Sequence, residues 1–257
     1  MPLDLSKVAG VTMQSPRDLV QTPTFLLYGR GKTGKTTLAM SSVKVPEMGP
    51  VAIIDFEGSA EVGAEDFPDV DVYRATNWTQ AAGLMDAMLN QKHEYKTVIL
   101  DPVNALQAHL TDEIVRRQPL NQPNAKPNNS MGDAAMLLSD WGVVWTRMRK
   151  ILEAFHAAPF TVILTAHADS VKDETTGKMV MEPLMQGNKT KNEVTRVPTV
   201  VGYMRMVQKE DGSVIPVARF AGGGTLVAGD RTKKLGVEIE NPTMQTIYNK
   251  IHNSNNK

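Results

Sequence analysis

Gly29-Arg30-Gly31-Lys32-Thr33-Gly34-Lys35-Thr36, followed by Thr37, fits the GxxxxGK[ST] pattern of a phosphate-binding loop. An apolar, strand-like run, Phe25-Leu26-Leu27-Tyr28, precedes it, and a helix-forming stretch, Thr36-Thr37-Leu38-Ala39-Met40, follows. Gly29 and Gly34 are expected to take backbone angles that side chains forbid, letting successive N–H groups curl around a phosphate. A helix starting near Gly34 adds free N–H donors and the positive end of its dipole. Lys35 then reaches the β- and γ-phosphates, and the Thr36 hydroxyl ligates Mg²⁺. A chance match in a chain of this length arises roughly once in a hundred. The octet therefore predicts nucleoside triphosphate binding through Gly29, Arg30, Gly31, Lys32, Thr33, Gly34, Lys35, Thr36 and Thr37.

The chain has 257 residues, enough for one decorated α/β domain or two small ones, and 41% of them are apolar. No run approaches the ~20 apolar residues that span a bilayer. Met1-Pro2-Leu3-Asp4-Leu5 lacks the basic and apolar regions of a signal peptide. With no cysteine there are no disulfides or thiolate metal sites, and a cytoplasmic setting is expected. The 5 histidines show no metal-ligand spacing. Lys plus Arg and Asp plus Glu number 28 each, so any nucleic-acid site must be a local patch.

Working outward from the loop, apolar runs alternate with helical patterns, which predicts a mainly parallel sheet flanked by helices. Strands are expected at Thr24–Tyr28, Val51–Asp55, Asp71–Arg74, Thr97–Asp101 and Thr161–Thr165. Helical spacing links Trp78, Ala82, Met85 and Leu89, and again Ala105, Leu106, Leu110 and Ile114. The longest helix is expected over about 132–157, with Leu137, Leu138, Trp141, Val144, Trp145, Met148, Ile151, Leu152 and Phe155 as its core stripe. Residues 118–131 are Pro/Asn-rich and read as neither helix nor strand, and 168–196 read as a polar hairpin with long, mobile arms. A C-terminal antiparallel hairpin is expected from Val200–Gln208 and Ser213–Phe220, then a short strand Thr225–Ala228 and a helix over Thr243–Ile251. The resulting organisation is an N-terminal segment 1–22, one domain over 23–253 and a tail 254–257.

Hydrolysis needs carboxylates around the loop. Asp101 ends the buried-type strand Thr97-Val98-Ile99-Leu100, the Walker B arrangement, where it bonds the Mg²⁺ shell. It also fits as an N-cap for the helix after Pro102, and the two roles are compatible. Asp55 and Glu57 fall on one side by period two. Glu57, beyond the strand end, reads as general base or water-positioning residue, and Asp55 as structural. His167, closing the fifth strand, reads either as a γ-phosphate sensor or as a hydrogen-bonded strand-end histidine.

The order of these pieces resembles the RecA core: phosphate loop, strand ending in Asp-x-Glu, Walker B strand, long helix, strand ending in a polar sensor. Leu-Tyr-Gly-x-x-x-x-Gly-Lys-Thr-Thr, Asp55-Phe56-Glu57-Gly58, Asp140-Trp141-Gly142, Leu164-Thr165-Ala166-His167 and Gly229-Asp230-Arg231 together resemble phage-encoded RecA-core ATPases, including the single-strand annealing type. The resemblance implies a RecA-like P-loop ATPase using ATP and Mg²⁺. It assigns residues 118–131 and 168–191 to two DNA-binding loops, with Arg116, Arg117, Lys126, Lys172, Lys178, Lys189 and Lys191 as phosphate contacts. It makes Arg231 a finger acting on a neighbouring subunit, although Gly229 stands where relatives usually carry Lys, so Lys233 or Lys234 is the alternative. Implied partners are single-stranded DNA, further copies in a ring or filament, and a single-strand-binding protein, with no membrane. The implied function is strand annealing or recombination. Two other classes share the loop: a nucleotide-switched assembly or signalling ATPase acting on a protein, and, more weakly, a small-molecule kinase.

Overall fold

The computed structural model describes residues 22–117 and 136–252. The N-terminal segment up to residue 21, the 118–131 insert with Lys126, and the 254–257 tail lie outside the described residues. Ten strands form one sheet: β1 (Thr24–Gly29), β2 (Val51–Asp55), β3 (Val70–Arg74), β4 (Thr97–Asp101), β5 (Thr161–Lys172), β6 (Met179–Pro183), β7 (Val200–Gln208), β8 (Val214–Arg219), β9 (Gly229–Asp230) and β10 (Glu238–Glu240). The order across it is β10-β8-β7-β1-β5-β4-β2-β3, with β6 on β5 and β9 on β7. β1, β2, β3, β4, β5 and β7 pair in parallel, while β6, β8, β9 and β10 add antiparallel edges. The loop strand β1 and the Asp101 strand β4 are thus separated by β5, and the fold is a RecA-like α/β core with a C-terminal antiparallel extension.

Burial on both faces explains the apolar runs. Leu26, Tyr28, Ile54, Leu100 and Leu164 face one core with α3 (Trp78–Asn90), α4 (Val103–Arg117) and α5 (Asp140–His156). Phe25, Leu27, Ile53, Ile99 and Ile163 face the other, beside α1 (Lys35–Met40) and α7 (Met244–His252). Period-two alternation assigns each strand residue to its layer.

Several expectations need correction. The long helix starts at Asp140, whose carboxylate accepts the Leu137 amide at 2.8 Å while its own amide donates to the Leu137 carbonyl at 3.0 Å. That turn ends helical continuation, and Leu138, expected in the core, is 91% exposed. Residues 168–196 are not loose arms: β5 runs on to Lys172 and pairs with β6, and a further helix, α6 (Asn188–Arg196), follows. The strand expected over Thr225–Ala228 is instead β9, one step later, because Leu226 only bridges to Met181 and Gly223. The strand β10 lacks any alternation long enough to read.

Candidate functional site: a phosphate-loop cleft

At the carboxyl ends of β1, β2, β4 and β5 the loop residues 30–34 lead into α1. Gly34 has φ 83°, the left-handed region glycine favours. Gly29 is required for a different reason than the expected one. A Cβ there would collide with the Met204 carbonyl oxygen on β7 and sit 2.9 Å from Thr33 Oγ1, so the demand is for space. The Lys35 ammonium is folded back on the loop, donating to the carbonyls of Gly29 (3.1 Å) and Arg30 (2.9 Å). Burial pulls Lys35 below its usual value, opposed by Asp101 and Glu57.

Asp101 is 2% exposed and receives two hydroxyls, from Thr36 at 2.8 Å and from Thr165 on β5. Both oxygens are therefore directed at the loop side, and the helix-capping alternative is not the contact it makes. Burial pushes its carboxyl above the ordinary range, while the Thr165 and Thr36 hydrogen bonds pull it back. Sequence reasoning does not single out Thr165. Its signal is one hydroxyl ending the otherwise apolar run Val162-Ile163-Leu164.

Asp55 accepts the amides of Glu57, Gly58 and Ser59 on Oδ1 and of Ala60 on Oδ2. It shapes the turn that delivers Glu57, as a structural residue should. Glu57 lines the cleft, with Oε2 3.2 Å from His167 Nε2. Behind them, Asn104 Oδ1 accepts the His167 amide at 3.0 Å, and His109 Nε2 lies 2.9 Å from the Phe56 carbonyl. Neither Asn104 nor His109 carries a motif, because each acts through a backbone group far away in sequence.

Lys32, Lys35, Thr36, Glu57, Asp101 and His167 share one open cleft of about 920 Å³, mouth included. A second, more apolar cavity of about 740 Å³ adjoins it at Gly34 and Thr37, walled by Phe67, Met204, Pro216 and Pro242. Lys44 Nζ stands 4.6 Å above the Phe67 ring and fixes that wall. Among the described residues no three His, Cys, Asp or Glu converge as an all-protein metal site. The Thr36 hydroxyl and Asp101 carboxylate are hard oxygen donors suited to Mg²⁺ that draws its other ligands from phosphates and water. The residues present thus fit a magnesium nucleotide.

The other expected residues scatter. Arg116 and Arg117 both bind the Glu113 carboxylate, at 2.8 and 2.5 Å. Lys191 is paired with Glu182 at 2.5 Å with both side chains largely covered, and Lys189 lies 5.2 Å over the Trp145 ring. Lys172 and Lys178 are exposed at the far end of the β5–β6 hairpin and make no ion pair among the described residues. Arg231 is not brought to the cleft. It follows β9, which pairs with the start of β7 at Val200, and its guanidinium donates to the Arg196 carbonyl. Lys234 is spent on the Ile251 carbonyl, while Lys233 is exposed.

A sequence-family profile described as an AAA domain matches residues 21–232. The chain belongs to that family. With its intact loop it is a nucleotide-binding P-loop ATPase. Similar solved structures include the RadB recombinase, at 14% identity over 86% of each chain with a TM-score of 0.49. The ATPase domain of a helicase is similar at 10% identity over 82% of this chain and 78% of that one, with a TM-score of 0.46. No curated protein matches the chain. No helix among the described residues is long and apolar enough to cross a membrane.

Proposed function

We propose that this AAA-domain protein hydrolyses ATP with Mg²⁺ and uses the cycle to bind and anneal or recombine single-stranded DNA, as the phage ATPases it resembles do. The observation carrying the hydrolytic part is the convergence of Lys35, Thr36, Asp101 and Glu57 on one cleft. Bound Mg²⁺ would neutralise phosphate charge there, held at Thr36 with Asp101 behind it. Lys35 leaves the Gly29 and Arg30 carbonyls for the β- and γ-phosphate oxygens. Glu57 accepts a proton from the attacking water and His167 holds its carboxylate in place. The base takes the apolar cavity between Phe67, Met204 and Pro242. Arg231, remote from its own cleft, is left to serve a neighbouring copy in a ring or filament.

DNA contact is assigned to Lys172 and Lys178, the expected cations that remain exposed without an ion pair among the described residues, on a hairpin that starts at His167. The test is ATP turnover with and without single-stranded oligonucleotide at low and high salt. Stimulation that fades with salt is expected, and a rate indifferent to DNA at every salt concentration rejects the DNA reading. Glu57→Gln should bind nucleotide normally and lose turnover by about 10²- to 10⁴-fold; retained turnover removes Glu57 from the reaction. A protein-directed switch is the second reading, favoured by Met179 and Leu184, apolar residues 52% and 40% exposed on or beside the same hairpin. Capture of a defined protein with no oligonucleotide shift would select it.

A further inference from the structure

Helix α4 leaves the cleft directly after Asp101 and touches both roots of the β5–β6 hairpin. At the outgoing root, Asn104 holds the His167 amide at 3.0 Å. At the returning root, Gln107 clasps Gln186 twice: Nε2 donates to its carbonyl and Oε1 accepts its amide, each at 2.8 Å. Asn104 and Gln107 lie one helical turn apart and so share a face. The two roots are tied to each other where the Leu184 amide donates to the His167 carbonyl at 2.8 Å. Further along the helix, His109 grips the carbonyl of Phe56, the neighbour of Glu57.

Gln107 is 2% exposed, a depth at which apolar side chains are usual. Its amide meets a full backbone pair, so it locks Gln186 to α4 by distance and direction, where a leucine would only fill space. Motion of Glu57 or His167 therefore cannot be absorbed locally. It is passed to α4 and from there to both hairpin roots.

We propose that α4 is the strut coupling nucleotide state in the cleft to the position of the β5–β6 hairpin, with Gln107 and Asn104 as its positioning residues. This rests on the nucleotide-binding reading and is independent of whether DNA is the partner. The chain has no cysteine, so Glu174→Cys in the hairpin turn supplies a single thiol for an environment-sensitive fluorophore. The probe is a non-hydrolysable ATP analogue with Mg²⁺, and its affinity is measured separately by calorimetry. In the labelled parent the analogue should shift the emission. Gln107→Met, close in volume, should lose that shift while the Kd of the analogue stays within about twofold. Asn104→Asp keeps the acceptor and should keep the shift, whereas Asn104→Leu should lose it. Should Gln107→Met fail to fold, the Asn104 pair decides. A full shift in Gln107→Met and Asn104→Leu overturns the coupling, as does a parent that binds the analogue without any shift. Absence of analogue binding in the parent overturns the nucleotide reading itself, and the coupling with it.

Discussion

Two hairpins rise from the same edge of the sheet, one on either side of the phosphate loop. His167 on β5 and Met204 on β7 are the register partners of Gly29, and each strand continues beyond it into an antiparallel turn. The β7–β8 hairpin is braced by β10 and by exposed pairs, Arg205–Glu238 at 3.2 Å and Lys209–Glu240 at 2.5 Å. Met204 and Pro216 use it to wall the apolar cavity. The β5–β6 hairpin is held by buried polar groups instead. The Tyr28 hydroxyl reaches the Val227 carbonyl at 2.6 Å and the Met181 carbonyl at 3.0 Å, Gln107 holds Gln186, and Lys191 meets Glu182. One hairpin is a wall of the pocket, and the other is wired to its chemistry. Directional buried contacts transmit displacement; solvated ion pairs of about 0–1 kcal/mol do not.

This contrast can be broken in stages. Lys35→Ala should cost the most, about 10²- to 10³-fold in ATP turnover, and should silence any nucleotide response of the β5–β6 hairpin; a steady-state phosphate assay checks the first. Replacing Lys172 and Lys178 together by Ala should make the log–log salt dependence of oligonucleotide binding shallower by about 1.4, two contacts at ~0.7 each. The equivalent change on β7–β8, Arg205→Ala with Lys209→Ala, should leave that slope alone. Tyr28→Phe strands the carbonyls its hydroxyl serves and should destabilise the chain by about 1–2 kcal/mol in urea unfolding. Lys209→Ala should change stability by under about 0.5 kcal/mol, an effect that fades with salt. An equal loss for Tyr28→Phe and Lys209→Ala would erase the distinction between the hairpins.

The half of the site made by local sequence is legible. The loop octet, Asp101 and Glu57 announce themselves because each sits at a strand end whose period is visible. The five parallel strands expected near the loop recur with small shifts, since burial on both faces writes a continuous apolar run. The β5–β6 hairpin reads as mobile in the sequence because its order comes from Tyr28, Gln107 and strand pairing, none of which its own composition encodes. Arg116, Arg117 and Lys191 look like free cations because their acidic partners depend on geometry: Glu113 by helical spacing, Glu182 across the hairpin. Gly29 is the right residue type for a cause hidden from its neighbours, as the Met204 carbonyl that crowds it belongs to a strand far along the chain.

The placement of β1 also dictates when this protein can become competent during its synthesis. Its hydrogen-bonding neighbours, β5 and β7, are both encoded far downstream, so the ribosome must deliver most of the chain before that strand is enclosed. Until then Phe25, Leu26 and Leu27 are a sticky nascent segment, and non-local pairing of this kind closes slowly. Premature termination anywhere before Gln208 would thus yield a fragment that carries the complete nucleotide signature in its sequence and has nowhere to assemble it.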